Sequence, residues 1–435
     1  MFGPFRKEKP FQGFMGFGGG ATNLMRSAAA VGKFTINGSS ERPATDGYAT
    51  PSPQRIGGSH FSLEVTAGPF VATVKLWGGG GGAGGPEGGC GGQGGFTQAD
   101  FEFINGEQYE FVQGGGGHVA GAGTQPYGGG GQGTKMYPGP PGAGGGGGGY
   151  SGMFKAPAPT PAANTRAQEY AVLIAGGGGG DGGQLGEAGA PGNFHLPTKG
   201  GAGGGARPPA APPFATNFGG GRDPGEPNPT RIDGQPGRGN GGGQGAPAPT
   251  SNPQSSNPYY PGGGYGGSRD GYWPGPTTPS PAYGFGTALT GGNGVNAGGG
   301  GAGGGGGYWG GGGAGTPTTP ANGGGGGGGG FITTPTIHPE GIGAIAPFVG
   351  VCGFINPVQG PAFTPQPAKP DRYDPSMHVL YAGANYSDPD WEGDLPTGAG
   401  AGNAGIYGGP NWGDGTWGDP TAGGWSGRVV IKQAS

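Results

Sequence analysis

Unbroken blocks of glycine constrain the fold of this chain more than any other feature. Glycine fills 125 of the 435 positions, and the longest blocks lie at residues 78–82, 144–149, 176–180, 303–307 and 323–330. A block without side chains can form neither an amphipathic helix nor a half-buried strand. Any order within it must therefore come from hydrogen bonds of the backbone.

Three structures compete for such a composition. A collagen triple helix requires glycine at every third position, which the unbroken blocks exclude. Disorder is what composition alone favours, because the chain holds 125 glycines and 48 prolines and glycine is entropically costly to order. The third structure is a bundle of extended polyglycine II helices with three residues per turn, in which each helix pairs its amides with its neighbours.

Alternation of apolar and polar residues indicates β-strands in the first half of the chain. The pattern occurs at residues 61–66 and again at residues 70–77. Two further alternating runs flank Asn105-Gly106 and predict a β-hairpin, because both central residues of such a turn need positive φ. The apolar run at residues 170–175 predicts a strand that is buried on both faces.

The positions of the predicted strands favour the bundle over disorder. The strands at residues 70–77 and 170–175 run directly into glycine blocks, so a sheet would fix where each glycine helix begins. A last strand at residues 428–432, lying beside the early strands, would close a small antiparallel sandwich. We therefore predict a mainly β fold: a small antiparallel β-sandwich with an inserted bundle of polyglycine II helices and very little α-helix.

The N-terminal region has neither helical nor strand periodicity, and we expect an extended docking arm at residues 1–55. Residues 1–33 carry a net charge of +4, whereas the remainder carries −8. A basic arm on an acidic body suggests docking through the N-terminus. The candidate docking residues are Arg6, Lys7, Lys9, Phe11, Phe14 and Phe17. Glycine and proline interrupt every apolar stretch near the start, so we expect no secretory signal and no membrane insertion.

No motif in the sequence points to catalysis, and we expect a protein without enzymatic activity, cofactor or metal. G-x-G-x-x-G matches are frequent by chance here, and no helix-forming segment follows them. The histidines are isolated from other ligand types. Residues 388–394 hold four carboxylates that could bind a hard cation, but they lack the spacing of a calcium loop, and we interpret them as a solvated acidic loop. The pairing of Cys90 and Cys352 cannot be inferred, and we expect free buried thiols.

Clustered aromatic residues are the candidates for recognition. Aromatic faces beside polar groups bind sugars and peptides by stacking and hydrogen bonding. For most rings, especially tryptophans beside glycine blocks, we favour a sealing role at the ends of the glycine helices. The better candidates for receptor contact lie in one segment: Tyr259, Tyr260, Tyr265, Tyr272, Trp273 and Tyr283.

The junctions between strands and glycine blocks resemble a glycine-rich family. Residues 74–81 read VKLWGGGG, residues 172–179 read VLIAGGGG and residues 145–152 read GGGGGYSG. The family includes the glycine-rich region of anaplastic lymphoma kinase and many phage virion proteins, and in that receptor the resemblance implies a TNF-like β-sandwich with inserted polyglycine II helices. The tail-fibre adhesins of T-even phages contain a similar glycine lattice. Residues 10–22, PFQGFMGFGGGAT, resemble the starts of glycine-rich proteins of marine and cyanobacterial phages.

The resemblance implies a structural protein of a phage virion, made in the host cytoplasm. We expect it to be anchored by its N-terminus and to present loops for host-surface recognition, as a tail fibre or adhesin. The alternatives are a capsid decoration protein and a secreted extracellular matrix or filament subunit. The expected partners are other virion proteins through the arm, a host surface glycan or outer-membrane protein, and further copies of the chain, with no nucleic acid.

Four regions follow from this interpretation. The docking arm occupies residues 1–55, and the sandwich strands with the first glycine helices occupy residues 56–180. The glycine and proline-rich bundle with its exposed loops occupies residues 181–424. The closing strand lies within residues 425–435.

Overall fold

The described chain forms antiparallel β-sheets joined to long hydrogen-bonded glycine segments. The computed structural model describes residues 31–55, 57–84, 91–119, 124–134, 144–156, 168–182, 200–201, 203–205, 286–294, 301–313, 325–333, 343–351, 382–394, 399–405 and 423–434. Within these ranges the only helical elements are single 3₁₀ turns at Ala44–Asp46 and Gln168–Tyr170. The prediction of a mainly β protein with very little α-helix is confirmed for this part of the chain.

Two larger sheets and one short strand pair organise the described strands. In chain order the strands are β1 (Lys33–Ile36), β2 (Arg42–Pro43), β3 (Tyr48–Ala49), β4 (Ser59–Ala67), β5 (Phe70–Trp77), β6 (Phe96–Phe103), β7 (Gln108–Gln113), β8 (Ser151–Lys155), β9 (Ala171–Ala175), β10 (Phe331–Ile332), β11 (Ile345–Val351), β12 (Gly393–Asp394), β13 (Ala399–Gly400) and β14 (Arg428–Gln433). The seven-stranded sheet has the order β10-β9-β8-β7-β4-β1-β2, and the five-stranded sheet has the order β11-β6-β5-β14-β3. β12 pairs with β13.

The two larger sheets bury their apolar side chains in one common cluster. Phe61 and Phe111 come from the seven-stranded sheet and stack with their ring centroids 5.0 Å apart. Val74 and Phe101 enter the same cluster from the five-stranded sheet. Each such side chain contributes about 1.5–3 kcal/mol when it is fully buried. Alternation along the strands therefore selects the inward faces, as the sequence predicted.

The expected hairpin at Asn105-Gly106 is wrong, because the turn joins two different sheets. β6 pairs with β5 over eight residues, whereas β7 pairs with β4 and β8. The turn is fixed instead by Val65 of β4, whose carbonyl accepts from the Gly106 amide at 2.8 Å and whose amide donates to the Glu107 carbonyl at 2.9 Å. Gly106 does adopt positive φ, at 82°, but Asn105 does not, so the predicted turn is correct for the glycine alone.

The predicted extended arm requires correction for residues 31–55. β1 and β2 lie in the seven-stranded sheet, and β3 lies at the edge of the five-stranded sheet beside β14. Phe34 of β1 is fully buried. The short runs with proline between them hid this periodicity in the sequence. Residues 1–30, with all the candidate docking residues, lie outside the described ranges.

The predicted strands at residues 170–175 and 428–432 are confirmed. β9 is buried along its whole length. β14 inserts between β5 and β3, with Val430 opposite Lys75 on one side and Ala49 on the other. The last described strand therefore occupies an interior position of its sheet, beside an early strand as expected.

Candidate functional site: the glycine bundle and its far end

The glycine segment at residues 176–181 shows a threefold repeat in its backbone hydrogen bonds. Residues 176 and 179 donate to the carbonyls of Gly204 and Gly201, at 3.0 and 2.7 Å. Residues 177 and 180 donate to Gly306 and Gly303, at 2.7 and 2.8 Å. Residues 178 and 181 donate to Gly79 and Gly82, both at 2.9 Å. Successive amides thus point to three different neighbours, and each neighbour is contacted again three residues later.

The carbonyls of the same segment follow the same period toward three further neighbours. Those of residues 176 and 179 accept from Gly95 and Gly92, each at 2.8 Å. Those of residues 177 and 180 accept from Gly328 and Gly325, each at 2.9 Å. Those of residues 178 and 181 accept from Gly148 and Gly145, each at 2.7 Å. Six segments therefore surround residues 176–181, and every amide and carbonyl in this stretch is paired.

Close approach of these backbones explains why the segments are glycine. A Cβ added to Gly178 would overlap the carbonyl of Gly92, and a Cβ added to Gly177 would overlap that of Gly148. The same overlap occurs at Gly179 with the carbonyl of Gly325. Larger residues would push the segments apart and break the hydrogen bonds on which the order depends.

The glycine segments on both sides of the expected boundary at residue 180 form one hydrogen-bonded set. Gly179 bonds to Gly201, and Gly178 bonds to Gly79. Residues 31–435 belong to one compact unit. The bundle is therefore built from segments that precede and follow this boundary.

Aromatic rings lie where the strands meet the glycine segments. Trp77 ends β5, is fully buried and donates from Nε1 to the Ala384 carbonyl at 2.9 Å. Tyr150, which precedes β8, is also fully buried. Tyr308 stacks on Phe331 with ring centroids 3.8 Å apart. These positions agree with a sealing role for rings beside glycine blocks; Trp412 and Trp417 lie outside the described residues.

Several described segments begin or end at the opposite end of the bundle. Exits at this end lie at Gly84, Thr134, Gly182, Gly294, Gly313 and Gly405, and the corresponding re-entries lie at Gly91, Gly144, Gly200, Gly301, Gly325 and Gly423. Residues near the exits bond to one another: Thr134 donates to the Gly301 carbonyl at 3.0 Å, and Gly91 donates to the Gly405 carbonyl at 3.1 Å. We call this end of the bundle, which is remote from the strands, the far end.

The described residue that precedes the candidate receptor residues does not lie at the far end. Tyr259, Tyr260, Tyr265, Tyr272, Trp273 and Tyr283 all lie outside the described residues, between Gly205 and Gly286. Gly205 lies at the strand end of the bundle, where an added Cβ would contact backbone atoms of Phe96 and Val351. The aromatic content of this segment made it the candidate for receptor contact. The sequence contains no signal for its position relative to the bundle. Cys90 and Cys352 also lie outside the described ranges.

The acidic residues near position 390 are bound to the five-stranded sheet, so their interpretation as a solvated loop is wrong. The Lys75 ammonium lies 2.8 Å from Asp388 Oδ1 and 2.9 Å from Asp390 Oδ2. Lys432 also pairs with Asp390, and Arg428 pairs with Glu392. Lys75 and Asp388 are 313 residues apart, so no local pattern could have linked them. Within the described ranges no group of three or more His, Cys, Asp or Glu is arranged to hold a metal ion.

Comparisons with known proteins leave the resemblance to glycine-rich virion proteins as an expectation. No protein-family model matches the chain, and no curated protein is significantly similar to it. Among the residues that the structure describes, none belongs to a helix long and apolar enough to cross a bilayer.

Proposed function

We propose that this chain is a non-enzymatic structural protein of a phage virion that presents loops for host-surface recognition, as a tail fibre or adhesin. The described segments that begin and end at the far end of the glycine bundle carry this proposal. Recognition residues commonly lie on loops that a rigid scaffold holds in place. Here the scaffold is held by backbone hydrogen bonds, so side chains in the connections are free to vary without disturbing it.

We also infer that the glycine segments are polyglycine II helices on a TNF-like sandwich. Polyproline II geometry has three residues per turn, and the donors of residues 176–181 repeat with that period. Six neighbours around one segment is the packing that such helices need to pair all their amides. Two antiparallel sheets that share one core support the sandwich.

The proposed location is the virion, with residues 1–30 as the attachment to other virion proteins. Their basic residues, Arg6, Lys7 and Lys9, suit an acidic partner surface. Host surface glycans and outer-membrane proteins are the proposed targets, and several copies per particle would raise avidity.

Replacement of selected segments by flexible linkers tests the proposal. Residues 314–324 and 406–422, which follow the far-end residues Gly313 and Gly405 in the chain, would be replaced by Gly-Ser linkers of equal length. The control replaces residues 157–167, which lie between β8 and β9 in the chain and border no far-end residue. We expect the far-end replacement to abolish binding of the purified protein to host cells and the control to retain it.

Two outcomes would contradict the adhesin proposal. One is undiminished binding after the far-end replacement. The other is a wild-type protein that neither coats host cells nor blocks infection. Many copies on each capsid together with no cell binding would point to the decoration protein instead.

A further inference from the structure

Ion pairs hold one loop against the outer face of the five-stranded sheet. We call residues 386–394 the strap. Asp388 and Asp390 form ion pairs with Lys75 of β5. Asp390 also pairs with Lys432 of β14, and Glu392 pairs with Arg428 of β14. Ser52, in the turn after β3, donates to Glu392. All cations lie on the strands and all carboxylates lie on the strap.

Burial separates an inner from an outer part of this contact. The side chains of Lys75, Asp388 and Asp390 are 14%, 9% and 13% exposed, whereas those of Lys432 and Glu392 are 55% and 41% exposed. Water and salt screen the outer pairs, so those contribute little. The inner Lys75 contacts are shielded, and loss of one partner there would leave an uncompensated charge in a partly buried place.

Besides the ion pairs and the Ser52 hydrogen bond, Trp391 of the strap packs against a buried cluster that includes Trp77 and Val430, and the remaining polar contacts lead to its own chain neighbours. Trp391 donates from Nε1 to the Ala401 carbonyl at 3.0 Å, and the Ala401 amide donates to the Glu392 carbonyl at 2.9 Å. Asn385 has a φ of 56° at the start of the strap. Among the described residues, the polar contacts from the strap to β5 and β14 are the ion pairs with Lys75, Arg428 and Lys432.

We propose that these pairs form an ionic latch that holds the strap closed over β5 and β14, and that the strap opens as a unit when the inner pairs lose their charge. Opening leaves the sheets and the glycine bundle folded, because their cores and backbone hydrogen bonds do not include the strap carboxylates. It exposes Lys75, Arg428 and Lys432 together on one face. The closed strap therefore keeps a cationic face of the sheet covered.

The latch holds at neutral pH. The groups that face one another are Asp388, Asp390 and Glu392 on the strap, Lys75 on β5, and Arg428 and Lys432 on β14, with Asp100 of β6 nearby through its bond to Thr73. Burial alone would raise the pKa of Asp390, but hydrogen bonds from Lys432 and Lys75 outweigh it and hold that pKa below its usual value. Because the pKa of Asp390 is lowered in the closed form, its charge stabilises that form at pH values above the ordinary pKa of about 3.9. This stabilisation is lost as the pH falls through the lower pKa of the closed form.

Amide hydrogen exchange of the full chain tests the latch. In Lys75→Met we expect amide exchange at Asp390 and Trp391 to rise about tenfold, because three charged hydrogen bonds are lost. Exchange at residues 176–181 should stay unchanged. In Lys75→Met with Asp388→Asn the rise should be smaller than in Lys75→Met alone, since fewer charges are left unpaired.

Lys33→Met is the matched control. Lys33 pairs with Glu41 at 2.7 Å, with side chains 49% and 43% exposed, so its loss should leave the strap unaffected. The proposal is overturned if Lys75→Met leaves amide exchange at Asp390 and Trp391 as in the wild type. It is also overturned if residues 171–181 gain exchange to the same degree, since that would mean general destabilisation.

Discussion

At the scale of single residues, the glycines of the bundle are not equivalent. A Cβ on Gly178 would overlap the Gly92 carbonyl and lie 2.8 Å from the Gln93 carbonyl oxygen. A Cβ on Gly146 would have its nearest neighbour at 3.1 Å, the His118 amide nitrogen. The sequence identified glycine as the residue that forms the bundle. It could not rank positions within a block, because that depends on which neighbour approaches each Cα.

This difference predicts the effects of two alanine substitutions. Gly178→Ala should lower the free energy of unfolding by about 3 kcal/mol, because the neighbouring backbone must shift. Gly146→Ala should change it by less than about 1 kcal/mol, since small adjustments relieve the contact and alanine restricts the unfolded chain. Urea unfolding of both variants measures the two values. Equal effects would show that the segments are not packed as closely as described.

Glu107 predicts a pH-dependent stability at the turn between β6 and β7. Its carboxylate accepts from Lys155 Nζ at 2.8 Å, from the Tyr109 hydroxyl at 2.8 Å and from the Ile104 amide at 3.0 Å. Burial would raise the pKa of Glu107, but these hydrogen bonds outweigh burial and lower it. A lowered pKa contributes stability above the ordinary value of about 4.3, and this stability is lost as pH falls through the folded value.

Glu107→Gln should therefore be less stable than the wild type by about 2 kcal/mol at pH 7. The difference should shrink as the pH is lowered below about 4. Thermal unfolding between pH 3 and pH 7 gives this dependence. Glu64→Gln, at an exposed position of β4, is the control and should change stability little at any pH. A constant difference over this pH range would contradict the assignment to the charge.

At the scale of elements, strands are readable from local patterns in the sequence, but their pairing partners are not. Alternation located β5 and the buried run located β9, because both patterns are local. Neither pattern indicates which strand pairs with which. The sequence around Asn105-Gly106 therefore predicts a hairpin, although the two flanking strands belong to different sheets. β11 lies in a proline-rich stretch that shows no clean period, with a shift in register between Ile345 and Phe348, and was not predicted.

Two isoleucines test the importance of the interior position of β14. Ile431 is 1% exposed between β5 and β3, whereas Ile345 on the edge strand β11 is 37% exposed. Ile431→Ala should lower the free energy of unfolding by about 3 kcal/mol, through lost burial and the cavity left behind. Ile345→Ala should cost less than about 1 kcal/mol. If the two variants unfold alike in urea, β14 is not part of the core.

At the scale of the whole molecule, the sheets and the glycine bundle should unfold together. The strands β5, β7 and β9 continue directly into glycine segments, and the Thr97 hydroxyl donates to the Ile174 carbonyl at 3.0 Å across the two sheets. We predict that amides of residues 176–181 exchange only through global opening, with the same free energy as those of β9. Exchange measured against denaturant concentration gives both values. Rapid exchange in residues 176–181 beside a protected β9 would identify the block as a loose linker.

The hydrogen bonds of residues 78–82 reach partners that are made much later. Gly80 donates to the Trp425 carbonyl, and Gly405 donates to the Gly81 carbonyl. The nearby ion pair of Lys75 and Asp388 spans a similar stretch of chain, 313 residues, and a ribosome needs roughly 15 to 60 s to synthesise a stretch of that length. During that time the first glycine segment lacks these partners. A chain whose synthesis stops before residue 425 cannot supply the Trp425 carbonyl, so pairing of the Gly80 amide distinguishes chains that reach residue 425 from shorter ones.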